Sequence, residues 1–173
     1  DGFEDLFLAQ NFFPTRAPGD RLDASRGVLL KGHGSENFTV LESGRSGINL
    51  FGDQRAAVSG DFDRDGMSDL VVTRNSGKTG LFLNKSKKIG LRVVVQGAAG
   101  NTHGIGSVLR LKYHDGMGPA RQITGSSGYR SQGSSIQVLH ATRPVESVWI
   151  QKPDGKILTH EIKKGTHEVR ITY

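Results

Sequence analysis

The 173-residue chain has no cysteine. That removes disulfide staples and thiolate metal sites, although it does not fix the compartment. No uninterrupted apolar run approaches the roughly 20 residues that a membrane-spanning helix needs. Aromatic residues are sparse at 7%, with a single tryptophan, and apolar residues reach only 35%. No stretch repeats its apolar residues at the three-and-four spacing of an amphipathic helix. No leader of the secretory type opens the chain, which starts with "DGFEDL"; a removed leader or an origin within a longer protein would both account for that. Acidic groups are outnumbered, 17 against 23 Lys and Arg, for a net charge of +6. Such a surface is compatible with nucleic acid, anionic polysaccharide or simple solvation.

Short strand-like runs fill the space that helices leave. "NFTVLE", "DLVVTR", "LRVVVQ", "SVLRLKY" and "HEVRITY" are rich in β-branched and apolar residues, and Gly, Asn, Asp or Pro bound most such runs. The 24 glycines suit a turn-rich, all-β chain. There is also an internal repeat. "DGFEDLFLAQN" at 1–11 aligns with "DGMSDLVVTRN" at 65–75, matching Asp1/Asp65, Gly2/Gly66, Asp5/Asp69, Leu6/Leu70 and Asn11/Asn75. This spacing exceeds the roughly 40–50 residues of a four-stranded propeller blade, an excess that loops can supply. The repeat ends before "NKSKKIG" at 84–90, which places a domain boundary near residue 88.

The repeat holds the most concentrated chemistry, "GDFDRDGMSDL" at 60–70. Four aspartates there share a basic chain. The pattern Asp-x-Asp-x-Asp-Gly-x-x-Asp turns alternate carboxylates towards one centre, and Ca²⁺ takes six to eight oxygens in flexible geometry. Asp61, Asp63, Asp65 and Asp69 would supply carboxylates and Met67 its carbonyl oxygen, with Gly66 permitting the sharp turn. Mg²⁺ fits less well because it retains several waters. An EF-hand is excluded: its twelfth position, a glutamate, is Val72 here, and strands flank the loop where helices are required. Mutual repulsion of the carboxylates predicts a loop poorly ordered until a cation arrives.

The stretch "RAAVSGDFDRDGMSDLVVTRNSGKTGLFLN" at 55–84 resembles the FG-GAP/VCBS repeat of integrin-type β-propellers. The resemblance implies structural Ca²⁺ on a loop between two strands, falling on Asp61, Asp63, Asp65, Met67 and Asp69. Of that loop the partial first copy retains Asp1, Phe3 and Asp5. The second half is similar to the ASPIC/UnbV domain through "GNTHGIGSVLRL" at 100–111, "GSSGYRSQGSS" at 125–135 and "VESVWIQKPDGK" at 145–156. It departs from that family at "LHA" (139–141) and in the distance between Trp149 and Pro153. Together the resemblances imply the last blades of a β-propeller over 1–88, followed by an ASPIC/UnbV-like, β-sandwich-like domain over 89–173. Two blades cannot close a propeller, so further blades upstream, or self-association through open edges, are expected.

Other motifs carry less. "NSGKTG" at 75–80 lacks the first glycine of a phosphate loop, the position being Val72, and reads as a lysine-bearing hairpin turn. "GIGSVL" at 104–109 has Leu109 at the third glycine position of a dinucleotide fingerprint, and its glycines read as turns. No nucleophile elbow occurs in "GSSGYRSQGSS". The six histidines show no metal spacing, and Trp149 reads as core. "NFT" at 37–39 and "NKS" at 84–86 fit the glycosylation triplet. The expected function is a non-enzymatic, calcium-binding adhesion or interaction module, extracellular or on the cell surface, with the bacterial periplasm or outer surface also open. Its partner would be a protein or an anionic glycan; nucleic acid is disfavoured. The alternative is a polysaccharide-processing enzyme, or its carbohydrate-binding accessory domain, with Glu146, Asp154 and Glu161 as candidate carboxylates.

Overall fold

Strand pairing dominates the computed structural model, which describes residues 2–11, 26–34 and 37–173. Two three-stranded antiparallel sheets make up the first half. One joins β1 (Leu6–Leu8), β2 (Val28–Gly32) and β3 (Phe38–Leu41) in that order. The other joins β4 (Gln54–Gly60), β5 (Asp69–Arg74) and β6 (Gly77–Phe82). A single helical turn, α1 (Ser43–Ser46), links them and stops where Gly47 turns left-handed at φ 71°. Gln54 ties the sheets together: its backbone N–H donates to the Gln10 carbonyl (3.0 Å), and its buried side chain donates to Leu50 O (2.6 Å).

The register explains how much of the first sheet is left uncovered. Leu6 pairs with Leu30 and Leu30 with Val40, so one face carries an unbroken apolar row. Leu6, Leu8, Phe38 and Val40 on it are exposed. None of the sheets closes on itself among the described residues.

The connector 83–90 leads from β6 to the next strand, at Leu91. Beyond it, two sheets share one core. The first runs β11 (Gln137–Leu139), β7 (Leu91–Gln96), β14 (Glu168–Thr172). The second runs β10 (Arg121–Gln122), β8 (Val108–Tyr113), β12 (Ser147–Gln151), β13 (Ile157–Glu161), with β9 (Gly116–Met117) also on β8. Alternate residues point inward: Leu91, Val93 and Val95 from β7, Leu109, Leu111 and Tyr113 from β8, Val148 and Ile150 from β12, Val169 and Ile171 from β14. The same alternation corrects the reading of Trp149 as core. It falls between Val148 and Ile150, takes the opposite face of β12 and is only half-buried.

The decoy motifs resolve as turns. Asn75 and Ser76 form the tight β5–β6 connection, Ser76 at φ 54°, with the glycine and lysine of "NSGKTG" already in β6. Gly104 and Gly106 both have positive φ in the turn leading into β8. The "GSSGYRSQGSS" segment closes on a Gly128–Ser131 bridge that leaves Tyr129 and Arg130 at the surface.

Candidate metal centre

The acidic loop connects β4 to β5 across the mouth of that antiparallel pair. It reverses through two left-handed residues, Arg64 at φ 62° and Gly66 at φ 83°. A side chain at 66 would be obstructed: a Cβ there would lie 2.7 Å from Ile89 Cγ2 and 3.4 Å from the Gly90 carbonyl oxygen. Glycine is therefore needed twice over, for its backbone angle and for the close approach of the connector.

Carboxylate oxygens of Asp61, Asp63 and Asp65 lie within 4.8 Å of one another. Backbone N–H groups offset part of their repulsion. Asp65 N donates to Asp63 Oδ1 (3.3 Å), Gly66 N to Asp61 Oδ2 (3.1 Å) and Met67 N to Asp65 Oδ1 (2.9 Å). The loop thus has a hydrogen-bonded shape of its own, which the expectation from charge repulsion alone did not include. Lys85 Nζ approaches Asp63 Oδ2 at 3.8 Å but is largely exposed. Asp61 differs from its neighbours because its side chain is only 2% exposed. Its Oδ2 is paired with the Arg92 guanidinium, whereas its Oδ1 is buried with no hydrogen-bond partner. A buried carboxylate oxygen with nothing bound to it is costly. Set beside two further carboxylates, it fits a hard cation that takes oxygen ligands.

Asp69, also expected at the centre, is placed differently. Asp69 is 2% exposed and stands outside the three-carboxylate group. Its Oδ2 accepts from Phe62 N and its Oδ1 from Asn84 N, both at 2.8 Å. It therefore clamps the start of β5 to the chain leaving β6. Asp5, its counterpart in the repeat, does the same at the first sheet: Oδ1 accepts from Gly32 N at the end of β2 (2.9 Å). What the described residues repeat is this hairpin clamp; Asp1 lies outside them. Met67 is buried, and its sulfur receives the Ser86 hydroxyl at 3.8 Å. Asn84, the acceptor of the "NKS" triplet, is half-buried, and its amide donates to Ser68 O (3.2 Å).

Sequence reasoning had no signal for Arg92. It lies on β7, directly opposite Glu168 of β14 in register, and its Nε donates to Glu168 Oε2 at 3.0 Å. That hydrogen bond holds the Glu168 carboxyl below the usual carboxylate range. Gly90 N also donates to Gly66 O at 2.8 Å. The acidic loop is therefore held against the second half by both main chain and side chain.

A cavity of about 700 Å³ opens nearby, where the segment before β1, the connector and the second half meet. Phe3, Asn84, Lys88, Tyr113, Arg121 and His140 are among the residues lining it. Arg121 forms a two-pronged pair with Glu4 there, and Arg143 stacks on the Tyr113 ring at 4.1 Å. Burial, reinforced by the charge of Arg121, holds His140 below the usual histidine range. Glu146, Asp154 and Glu161 do not line this cavity.

No protein-family model matches the chain. No curated protein matches it either.

Proposed function

We propose that the chain is a non-enzymatic, calcium-binding interaction module whose acidic loop holds one Ca²⁺ through Asp61, Asp63 and Asp65. The observation that carries this reading is the buried, unpartnered Oδ1 of Asp61 beside two further carboxylates. Bound calcium would neutralise the cluster and stiffen the β4–β5 connection. Asp69 serves the loop by holding both of its ends rather than by ligation.

The strand–loop–strand setting and the repeated clamp support the FG-GAP/VCBS reading of 1–88. The uncovered apolar face of the first sheet supports a neighbouring blade or a second copy against it. The two-sheet second half is compatible with an ASPIC/UnbV-like domain. On this reading the protein works outside the cell or on its surface, where abundant calcium sustains dissociation constants of about 10⁻⁴–10⁻³ M. Its partner would be a protein or an anionic glycan, the latter favoured by the net charge of +6. One observation favours the alternative of a carbohydrate-binding accessory: the 700 Å³ cavity, which combines Tyr113 and Phe3 with several hydrogen-bonding groups.

Calorimetric titration of Ca²⁺ into the wild type and Asp65→Ala, with Tm followed in parallel, tests the reading. Calcium should raise the wild-type Tm by mass action and leave the variant nearly unmoved. A wild type that neither binds calcium at millimolar concentration nor gains stability from it would refute the proposal. Salt-dependent retention on heparin and DNA columns separates a glycan partner from nucleic acid.

A further inference from the structure

The metal loop shares its most buried carboxylate with a cation that the protein already owns. Asp61 uses Oδ2 for the Arg92 guanidinium and the Gly66 N–H, leaving Oδ1 free. Arg92 comes from β7, in the other half of the chain, and is only 11% exposed. Glu168 takes its remaining face and is 37% exposed. A dication on Oδ1 and a guanidinium on Oδ2 would sit on one carboxylate, in a setting where solvent screens them poorly. Lys85, which approaches Asp63, is 72% exposed and screened by salt.

Resting on the calcium reading above, we infer that Arg92 is a built-in counter-cation that lowers the calcium affinity of the loop and opposes calcium occupancy to the Arg92–Asp61 clasp between the halves. The two effects are one coupling free energy, so each must weaken the other by the same factor. Arg92 also orients the Asp61 carboxylate, but a charge-neutral hydrogen-bond donor can do that equally well; repulsion is the part that needs the charge. Glu168 moderates the effect by drawing on the same guanidinium. The loop would consequently bind calcium weakly when the second half is docked, and occupancy would loosen that docking.

The test is calcium calorimetry on the full chain at about 0.15 M and 0.5 M salt, with wild type, Arg92→Gln, Arg92→Lys and Glu168→Gln. Arg92→Gln keeps a donor and removes the charge; it should tighten calcium binding by about tenfold or more. The gain should persist at the higher salt because Arg92 is buried, and the calcium-induced rise in Tm should be larger than in wild type. Arg92→Lys should restore near-wild-type affinity. Glu168→Gln should weaken binding about two- to threefold, since it leaves the charge of Arg92 less compensated. A merely structural role would not move the two charge-removing variants in opposite directions. Unchanged or weaker binding in a folded Arg92→Gln would overturn the inference while leaving the calcium reading intact. If that variant does not fold, Glu168→Gln decides: weaker binding supports the inference, and equal or tighter binding overturns it. Absence of calcium binding in every folded variant, wild type included, would remove the underlying reading and the inference with it.

Discussion

Replacing Asp69 with alanine separates a structural carboxylate from a metal ligand. In the native fold its two oxygens accept from Phe62 N and Asn84 N at 2.8 Å, and the residue is 2% exposed. Hydrogen bonds to an ionised group contribute about 1.5–3 kcal/mol each. Both of these bonds are only partly buried, so water can recover some of the loss. The low end applies, giving about 2–4 kcal/mol for Asp69→Ala. With a urea dependence of about 2 kcal/mol per molar, the middle of the usual range, the denaturation midpoint should fall by about 1–2 M. Asp69→Asn should lose about as much, because its amide would point a donor at one of two backbone donors. The measurement is urea unfolding followed by circular dichroism with calcium chelated. Asp65 is exposed and accepts one loop N–H, so Asp65→Ala should cost about 1 kcal/mol or less under the same conditions. Asp69 is not a clamp if Asp69→Ala costs less than about 0.5 kcal/mol in chelator and shows its defect only when calcium is added. That outcome would return Asp69 to the metal.

Gly66→Ala should destabilise the chain by about 1–2 kcal/mol through its left-handed backbone alone. Its new Cβ would also press on Ile89 and the Gly90 carbonyl, so calcium titration of the same variant should show weaker binding. His140 supplies a pH dependence. Its folded pKa is lowered, by burial first and Arg121 second. The unfolded chain therefore binds a proton at higher pH than the folded chain, and the related stability is fully present above about pH 6.5 and lost as pH falls through the lower folded value. The wild-type Tm should drop as pH is lowered from about 7.5 towards 5, and His140→Gln should flatten that part of the curve; equal slopes would show that another group is responsible.

Much of the local structure was legible in the chain. Short β-branched runs bounded by turn residues are strands because each run supplies its own alternation, and the β5–β6 hairpin follows from two such runs around Asn75 and Ser76. The acidic loop was legible for the same reason: alternate aspartates and one glycine within nine residues constrain each other without help from elsewhere. The division of labour among those aspartates was not. Spacing treats Asp61 and Asp69 alike, yet one has a free oxygen and the other has both oxygens occupied by backbone donors. One of those donors belongs to Asn84, fifteen positions away.

By itself, then, the sequence determined the all-β character, the positions of the turns and the crowding of carboxylates at 61–65, all of which depend on neighbours within a few residues. Only the tertiary structure decided that β14 returns to run parallel to β7, which face of β12 Trp149 takes, and that Arg92 reaches Asp61. Those outcomes join segments tens of residues apart. Many pairings of such segments satisfy the same local pattern, and the shared core of the two sheets selects among them once the chain has bought back its loop-closure entropy.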